Sequence, residues 1–145
     1  MKFYFCGDAL SKGKSQKNSK VLSQDELIRW YELMHMGRVL DDKAPNYLKQ
    51  AIGWSYHAPS AGHDGIQLAL GLSFRSGKDF LFPYYRDLTT CLAAGLTPED
   101  IILNGISKAT DPASGGRHMS NHFAKPSIGI QNVSSLTGNH AQHAT

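Results

Sequence analysis

The chain has 145 residues, the length of about one small domain, and 41% of them are hydrophobic, enough to bury a core. The formal net charge of +3 is too small to indicate nucleic-acid binding, and no apolar run is long enough to span a membrane. Cys6 and Cys91 lie far apart and do not indicate a disulfide framework. We therefore expect a cytoplasmic protein that binds neither nucleic acid nor a membrane.

The first part of the chain predicts a polar segment followed by helices. Residues 1–22 are rich in Ser and Lys without an apolar period, which predicts a flexible lead-in before a unit at 23–145. A capping box at Ser23–Glu26 predicts a helix start. A second helical stretch is predicted at 41–53, with a break near Pro45. The first helix has one apolar face that contains Leu27, Ile28, Tyr31 and Met34.

The rest of the chain alternates short elements with turns. A buried helix is predicted at 63–74 and a strand at 79–82. Two helices follow, one from Asp87 to Ala94 closed by Gly95 and one from Thr97. The last predicted elements are an ordered functional loop at 109–127, a strand at 128–133 and a helix from Asn139. This order of elements predicts an α/β protein that is mostly helical.

Three residues that follow the predicted strand at 79–82 indicate an anion site. Arg86 supplies a permanent cation with a fork of N–H donors, and Tyr84 and Tyr85 add hydroxyl groups. Ligands in α/β proteins bind where strands end and helices begin. The same three residues also fit a surface arginine beside two tyrosines at the edge of the core.

A second turn of small residues lies at 134–138, between a predicted strand and a predicted helix start. Its hydroxyl groups can donate to an anion or a heterocycle, and its carbonyl oxygens can hold a monovalent cation. An ordinary helix cap explains the same residues. Two histidine pairs have ligand-like spacing, at 118 and 122 and at 140 and 143, although histidines on a loop or a helix surface explain them equally well.

Four short motifs, in this order, resemble one enzyme family. They are Gly62-His-Asp-Gly-Ile-Gln67, Phe82-Pro-Tyr-Tyr-Arg-Asp87, Gly115-Gly-Arg-His-Met119 and Ser134-Ser-Leu-Thr137. Residues 23–145 look like the α-subunit part of a thiamine-diphosphate-dependent 2-oxo acid dehydrogenase, and they are closest to the branched-chain type. The resemblance implies the N-terminal part of a doubly wound thiamine-diphosphate-binding domain.

The resemblance also implies site residues. Tyr85 and Arg86 match the pair that holds the diphosphate, and Tyr84 sits where the family often has Gln. Ser135 and Thr137 match positions that contact the rest of thiamine diphosphate. The positions that hold a structural potassium ion in relatives are here Ser134, Leu136 and Asn139. The Mg²⁺ ligands of the family, a Gly-Asp-Gly motif with a later Asn, are expected beyond residue 145, and no catalytic residue is assigned within the chain.

The function implied is oxidative decarboxylation of a branched-chain 2-oxo acid of the 2-oxoisovalerate type, with acyl transfer to a lipoyl group. The implied partners are a β part, separate or fused, in an α₂β₂-type assembly, and a lipoyl-bearing acyltransferase core. Two alternatives are a pyruvate or acetoin dehydrogenase α part and, in a different class, a non-catalytic helical module that binds an anion at Arg86. We expect the 145-residue chain alone to be inactive.

Overall fold

A computed structural model describes residues 22–132, 138, 139 and 142. The predicted lead-in at 1–22 therefore lies, except for Leu22, outside the described residues. The described part contains no β-strand, and none of its helices is long and apolar enough to cross a membrane. Its elements are α1 (Gln24–Lys49), α2 (Asp64–Ser73), α3 (Leu88–Ala94), α4 (Pro98–Gly105) and a 3₁₀ turn (Pro126–Ile128).

The start of α1 confirms the predicted capping box, but the predicted break near Pro45 is wrong. The Ser23 hydroxyl accepts from the Glu26 amide at 3.2 Å, and the Glu26 carboxylate accepts from the Ser23 amide at 2.9 Å. The helix then continues through Pro45, although proline removes one backbone hydrogen bond. Leu40 and Ala44 are buried on the same side of α1, so packing holds this part of the helix together.

The first two turns of α1 leave their apolar face in solvent. Leu27, Ile28 and Tyr31 are exposed, and Tyr31 stacks on His35 with ring centroids 5.9 Å apart. The buried face of the helix begins later, at Gly37. The fully buried positions of α1 therefore begin at Gly37, and Leu33 before it packs partly against the core.

The prediction that the helix at 63–74 is buried is wrong for one of its sides. Ile66 and Leu70 are 72% and 52% exposed, whereas Gln67, Leu68 and Gly71 are buried. The helix α2 packs against α3 and α1, and the side that carries Ile66 and Leu70 stays exposed among the described residues. An apolar composition all round a helix does not show which side a neighbour will cover.

The predicted end of α3 at Gly95 and the predicted start of α4 at Thr97 are confirmed. Gly95 ends α3 in a left-handed conformation with φ of 116°, which glycine adopts without steric cost. Thr97 caps α4 through a hydrogen bond from the Asp100 amide to its hydroxyl at 3.1 Å. These helices supply much of the core, which contains Leu40, Leu88, Cys91, Leu92, Leu96, Ile101, Phe123 and Ile130.

The strands predicted at 79–82 and 128–133 are wrong for the described residues. Leu81 makes one parallel bridge to Ile130, with hydrogen bonds from its amide to the Gly129 carbonyl at 3.0 Å and from the Gln131 amide to its carbonyl at 2.8 Å. Pro83 has no N–H to extend the ladder. The described part is thus mostly helical as predicted, and the doubly wound sheet remains a prediction.

Candidate functional site

The turn before α3 carries the three residues that the sequence singled out. The Asp87 amide donates to the Tyr84 carbonyl at 2.9 Å, and the Tyr84 amide donates to Asp87 Oδ2 at 2.8 Å. A third hydrogen bond, from Gln67 Nε2 to the Arg86 carbonyl at 2.8 Å, ties this turn to α2. The backbone from which Arg86 projects is therefore fixed on both sides.

The guanidinium of Arg86 is available to a ligand. Its side chain is exposed, and it forms neither a hydrogen bond nor an ion pair with any residue in the described ranges. The Arg86 Cζ atom lies 5.7 Å from the centre of the Tyr85 ring, close enough for a cation–π contact. Arg86 is thus held near the tyrosines while its N–H donors remain free for an anion.

The two tyrosines form one aromatic unit. The ring centroids of Tyr84 and Tyr85 are 3.8 Å apart, and the Tyr84 hydroxyl is hydrogen-bonded to the Tyr85 hydroxyl. Tyr56 meets Tyr85 edge to face, with centroids 5.6 Å apart. The two phenol oxygens therefore lie together, on tyrosine rings of which Tyr85 is also a neighbour of the Arg86 guanidinium.

Two histidines lie next to this aromatic unit, a relationship that the sequence did not reveal. The His122 ring centroid is 6.2 Å from that of Tyr85, and the His118 ring meets His122 edge to face at 4.7 Å. Burial lowers the pKa of His118, and the neighbouring His122 lowers it further against an opposing effect of Asp111. Their spacing drew attention only as a metal-ligand pattern, yet the part of the chain that the structure describes has no cluster of three or more metal-binding side chains.

The loop that carries His118 is ordered by one buried carboxylate. Asp111 is 5% exposed, and its Oδ2 accepts hydrogen bonds from the Ser114 amide at 3.1 Å and the Gly116 amide at 3.3 Å. The Ser114 hydroxyl in turn accepts from the His118 amide at 2.8 Å. The expectation of an ordered loop at 109–127 is confirmed by this network.

The second predicted site lies almost wholly outside the described residues. Ser134, Ser135, Leu136 and Thr137 belong to that undescribed part. Asn139 is described, and its carbonyl accepts from the Gln142 amide at 3.0 Å. The roles of these five residues toward the cofactor and potassium therefore remain predictions.

Comparison with known proteins shows the family of the chain. The model of the dehydrogenase E1 component family matches residues 31–144. The chain belongs to this family. Its members are thiamine-diphosphate-dependent α/β enzymes that act on 2-oxo acids, and the motifs around Arg86 and Met119 lie within the matched range.

Individual relatives of this E1 chain have two different substrates in their names. It is 30% identical over 123 residues to the 2-oxoisovalerate dehydrogenase subunit alpha of Bacillus subtilis, a match that covers 85% of the chain and 37% of the relative. It is 32% identical over 82 residues to the pyruvate dehydrogenase E1 component subunit alpha of Staphylococcus epidermidis, covering 57% of the chain and 22% of the relative. The protein with the same name from Acholeplasma laidlawii is 29% identical over 96 residues, covering 66% and 27%.

The chain thus spans 37% or less of the length of these curated relatives.

The described residues fit one end of the E1 cofactor. Arg86 and the neighbouring phenols match a diphosphate in charge and in hydrogen-bond donors, because an unpaired guanidinium binds phosphate oxygens in a fork.

Proposed function

We propose that this chain forms the part of a 2-oxo acid dehydrogenase E1 α region that holds the diphosphate of thiamine diphosphate. The observation that carries the proposal is the exposed guanidinium of Arg86, unpaired within the described residues and placed beside the Tyr85 ring. A guanidinium in a structural ion pair would contribute only to the stability of the fold. An unpaired one that is positioned by a fixed turn is suited to a ligand.

The cofactor would supply the electron sink for decarboxylation, and the protein would supply binding and orientation. In this proposal Arg86 and Tyr85 bind the diphosphate, and Tyr84 orients the Tyr85 hydroxyl through their hydrogen bond. Ser135 and Thr137 contact the remainder of the cofactor, and Ser134, Leu136 and Asn139 surround a potassium ion. Mg²⁺ would be held by residues beyond 145.

The substrate we propose is a branched-chain 2-oxo acid of the 2-oxoisovalerate type. The match to the Bacillus subtilis protein supports this choice, since it covers 85% of the chain at 30% identity. The pyruvate dehydrogenase relatives match at similar identity over shorter ranges, so pyruvate is the second candidate. A comparison of the turnover of 2-oxoisovalerate and pyruvate by the complete enzyme distinguishes the two.

The proposed working unit contains more than this chain. We propose a β part in an α₂β₂-type assembly, a lipoyl-bearing acyltransferase core that receives the acyl group, and a cytoplasmic location. The 145-residue chain alone is expected to turn over neither substrate, because the Gly-Asp-Gly metal motif of the family does not occur in it.

The test is calorimetric titration of thiamine diphosphate, with Mg²⁺, into the complete E1 enzyme that contains this chain. Arg86→Ala should weaken binding by about 10- to 100-fold, because it removes a charge-assisted hydrogen bond. Arg29→Ala, which removes an exposed arginine from α1, is the matched control and should bind as the wild type does. Equal affinity of Arg86→Ala and wild type would contradict the proposal. Equally tight binding of inorganic pyrophosphate would favour a simple anion-binding module.

A further inference from the structure

His122 has a buried nitrogen atom that the fold itself does not use. His122 is 2% exposed, and its Nδ1 atom is 3.0 Å from the Ser120 carbonyl oxygen. Because a carbonyl oxygen can only accept, Nδ1 must carry the hydrogen of this bond. Nε2 of the neutral ring is then an acceptor, and it has no partner among the residues that the structure describes.

This acceptor belongs to the surroundings of the proposed diphosphate site. The His122 ring lies 6.2 Å from the Tyr85 ring, with 30° between the ring planes. Tyr85 in turn has the Arg86 guanidinium carbon 5.7 Å from its centre. Tyr85 is therefore a common neighbour of Arg86 and His122.

The backbone next to His122 has a conformation that few residue types adopt readily. Asn121 has φ of 66°, in the left-handed region that is uncommon for residues other than glycine, and it is buried. Ser120 is fully buried, donates its hydroxyl hydrogen to the Gly105 carbonyl at 3.0 Å and accepts from the Ser55 amide at 3.0 Å. These hydrogen bonds fix the backbone that precedes His122.

A buried acceptor without a partner is unfavourable for folding, because the nitrogen has lost water and gained no hydrogen bond. A ligand that donates a hydrogen bond would remove this penalty. An anion such as the carboxylate of a 2-oxo acid would not, since it has no hydrogen to donate to Nε2 at neutral pH.

We propose that His122 is a further cofactor-binding residue, whose Nε2 accepts a hydrogen bond from thiamine diphosphate bound at Arg86 and Tyr85. This inference rests on the proposed function. At neutral pH the cofactor has one group with the required chemistry, the amino group of its pyrimidine ring, because a terminal phosphate paired with a guanidinium is deprotonated. Ser120 acts as a positioning residue, because its carbonyl keeps the hydrogen of the imidazole on Nδ1.

The experiment compares two variants of His122 in the complete enzyme. His122→Phe keeps a flat ring in the core and removes both nitrogens, whereas His122→Gln supplies a side-chain oxygen that can accept. We expect His122→Phe to weaken thiamine diphosphate binding by about 10-fold and His122→Gln to recover part of that loss. His35→Phe changes an exposed imidazole on α1, away from Tyr85, and is the matched control, with an affinity close to that of the wild type.

Two further probes identify the donor. Thiamine has the amino group without phosphate, and inorganic pyrophosphate has the phosphate oxygens without the pyrimidine. A loss of affinity for thiamine but not for pyrophosphate assigns the amino group as the donor, and a loss confined to pyrophosphate would contradict the proposal. Nitrogen-15 NMR of the wild-type imidazole should show hydrogen on Nδ1 and a shift of the Nε2 resonance when thiamine diphosphate binds.

The outcomes separate this inference from the function it rests on. If Arg86→Ala weakens binding but His122→Phe does not change it for any probe, only the role of His122 is overturned. If the Nε2 resonance of the wild type stays unchanged when thiamine diphosphate saturates the enzyme, the role of His122 is also overturned. This measurement does not depend on whether a variant folds. If the wild type binds none of the three probes, the proposed function and this inference both fall.

Discussion

Gln67 of α2 donates a hydrogen bond from its Nε2 atom to the carbonyl oxygen of Arg86, at 2.8 Å. Its Oε1 atom accepts a second hydrogen bond from the Thr89 amide at 3.1 Å. Gln67 is buried, so one side chain on α2 satisfies backbone groups on both sides of Asp87. The position of Arg86 therefore depends on the packing of α2 against α3.

Replacing Gln67 by Ala should lower the free energy of unfolding by about 1–3 kcal/mol, because the buried Thr89 amide and the Arg86 carbonyl lose their partner. It should also weaken thiamine diphosphate binding, since the turn that carries Arg86 loses a support. Urea denaturation and calorimetry measure the two effects. Gln50→Ala, at an exposed position after α1, is the control. Wild-type stability of Gln67→Ala would show that these hydrogen bonds contribute little.

Conservative changes at the proposed diphosphate site should give graded effects. Arg86→Lys keeps the charge but loses the fork of N–H donors, so its affinity for thiamine diphosphate should lie between those of wild type and Arg86→Ala. Tyr85→Phe removes one hydroxyl and should cost about 0.5–1.5 kcal/mol of binding free energy. Calorimetric titration of each variant gives these values. An Arg86→Lys variant as weak as Arg86→Ala would mean that geometry alone, and not charge, decides binding.

Two glycines of the same helix should respond to alanine in opposite ways. A Cβ atom at Gly71 would lie 2.4 Å from the Thr90 carbonyl oxygen and 2.6 Å from the Ala93 Cβ atom. Gly71→Ala should therefore push α2 away from α3 and cost about 1–3 kcal/mol of stability. A Cβ atom at Gly65 meets nothing within 4 Å among the described residues, so Gly65→Ala should stabilise the protein by up to about 1 kcal/mol.

Thermal unfolding of both glycine variants is the measurement. Equal melting temperatures for Gly71→Ala and Gly65→Ala would contradict the close approach of α2 to α3.

The ion pair of Asp100 and Lys125 should make stability depend on pH. Burial acts to raise the pKa of Asp100, but hydrogen bonds from Lys125 Nζ, at 2.7 Å, and from Thr97 outweigh it, so the pKa is lowered. A carboxyl whose folded pKa is lowered adds stability above its unfolded pKa, about 4, and loses it as the pH falls through the folded pKa. The contribution is therefore complete at pH 7 and lost under acid conditions.

Lys125→Met should remove much of this contribution. Its free energy of unfolding should fall below that of the wild type by up to about 1 kcal/mol at pH 7, and the difference should close as the pH falls below about 4. Denaturant unfolding at a series of pH values measures the difference. A gap that stays constant from pH 7 to pH 3 would show that Lys125 stabilises the fold through packing alone.

The features that the sequence predicted correctly depend on local chemistry. Ser23, Thr97 and Gly95 mark helix ends because each acts on backbone groups only a few residues away. The anion site predicted at Tyr85 and Arg86 also rests on local chemistry, since its residue types follow one another directly, and it stays a prediction. Such signals need no knowledge of the rest of the fold.

The features that the sequence did not predict depend on distant neighbours. Pro45 breaks a helix in isolation, but packing of Leu40 and Ala44 keeps α1 continuous. The predicted strand at 79–82 is only a bridge at Leu81, because its partner offers a single pairing residue, Ile130.

His122 became a candidate only through its neighbour Tyr85 and through a nitrogen that no described residue pairs. Neither property can be read from residue types or spacing. The signal that could have drawn attention to it is Asn121, since asparagine is among the few residues that adopt a left-handed backbone readily.

The hydroxyl of Ser120 joins two segments that are far apart along the chain, Ser55, 65 residues away, and Gly105, 15 residues away. Such contacts form only after long loops have closed, so they come late in folding and impose a large entropy cost on the way. The segment at 118–122 should thus be the last part of the site to gain protection from hydrogen exchange during refolding. In newly made protein the turn at Tyr85 and Arg86 would form before the imidazole of His122 reaches its position.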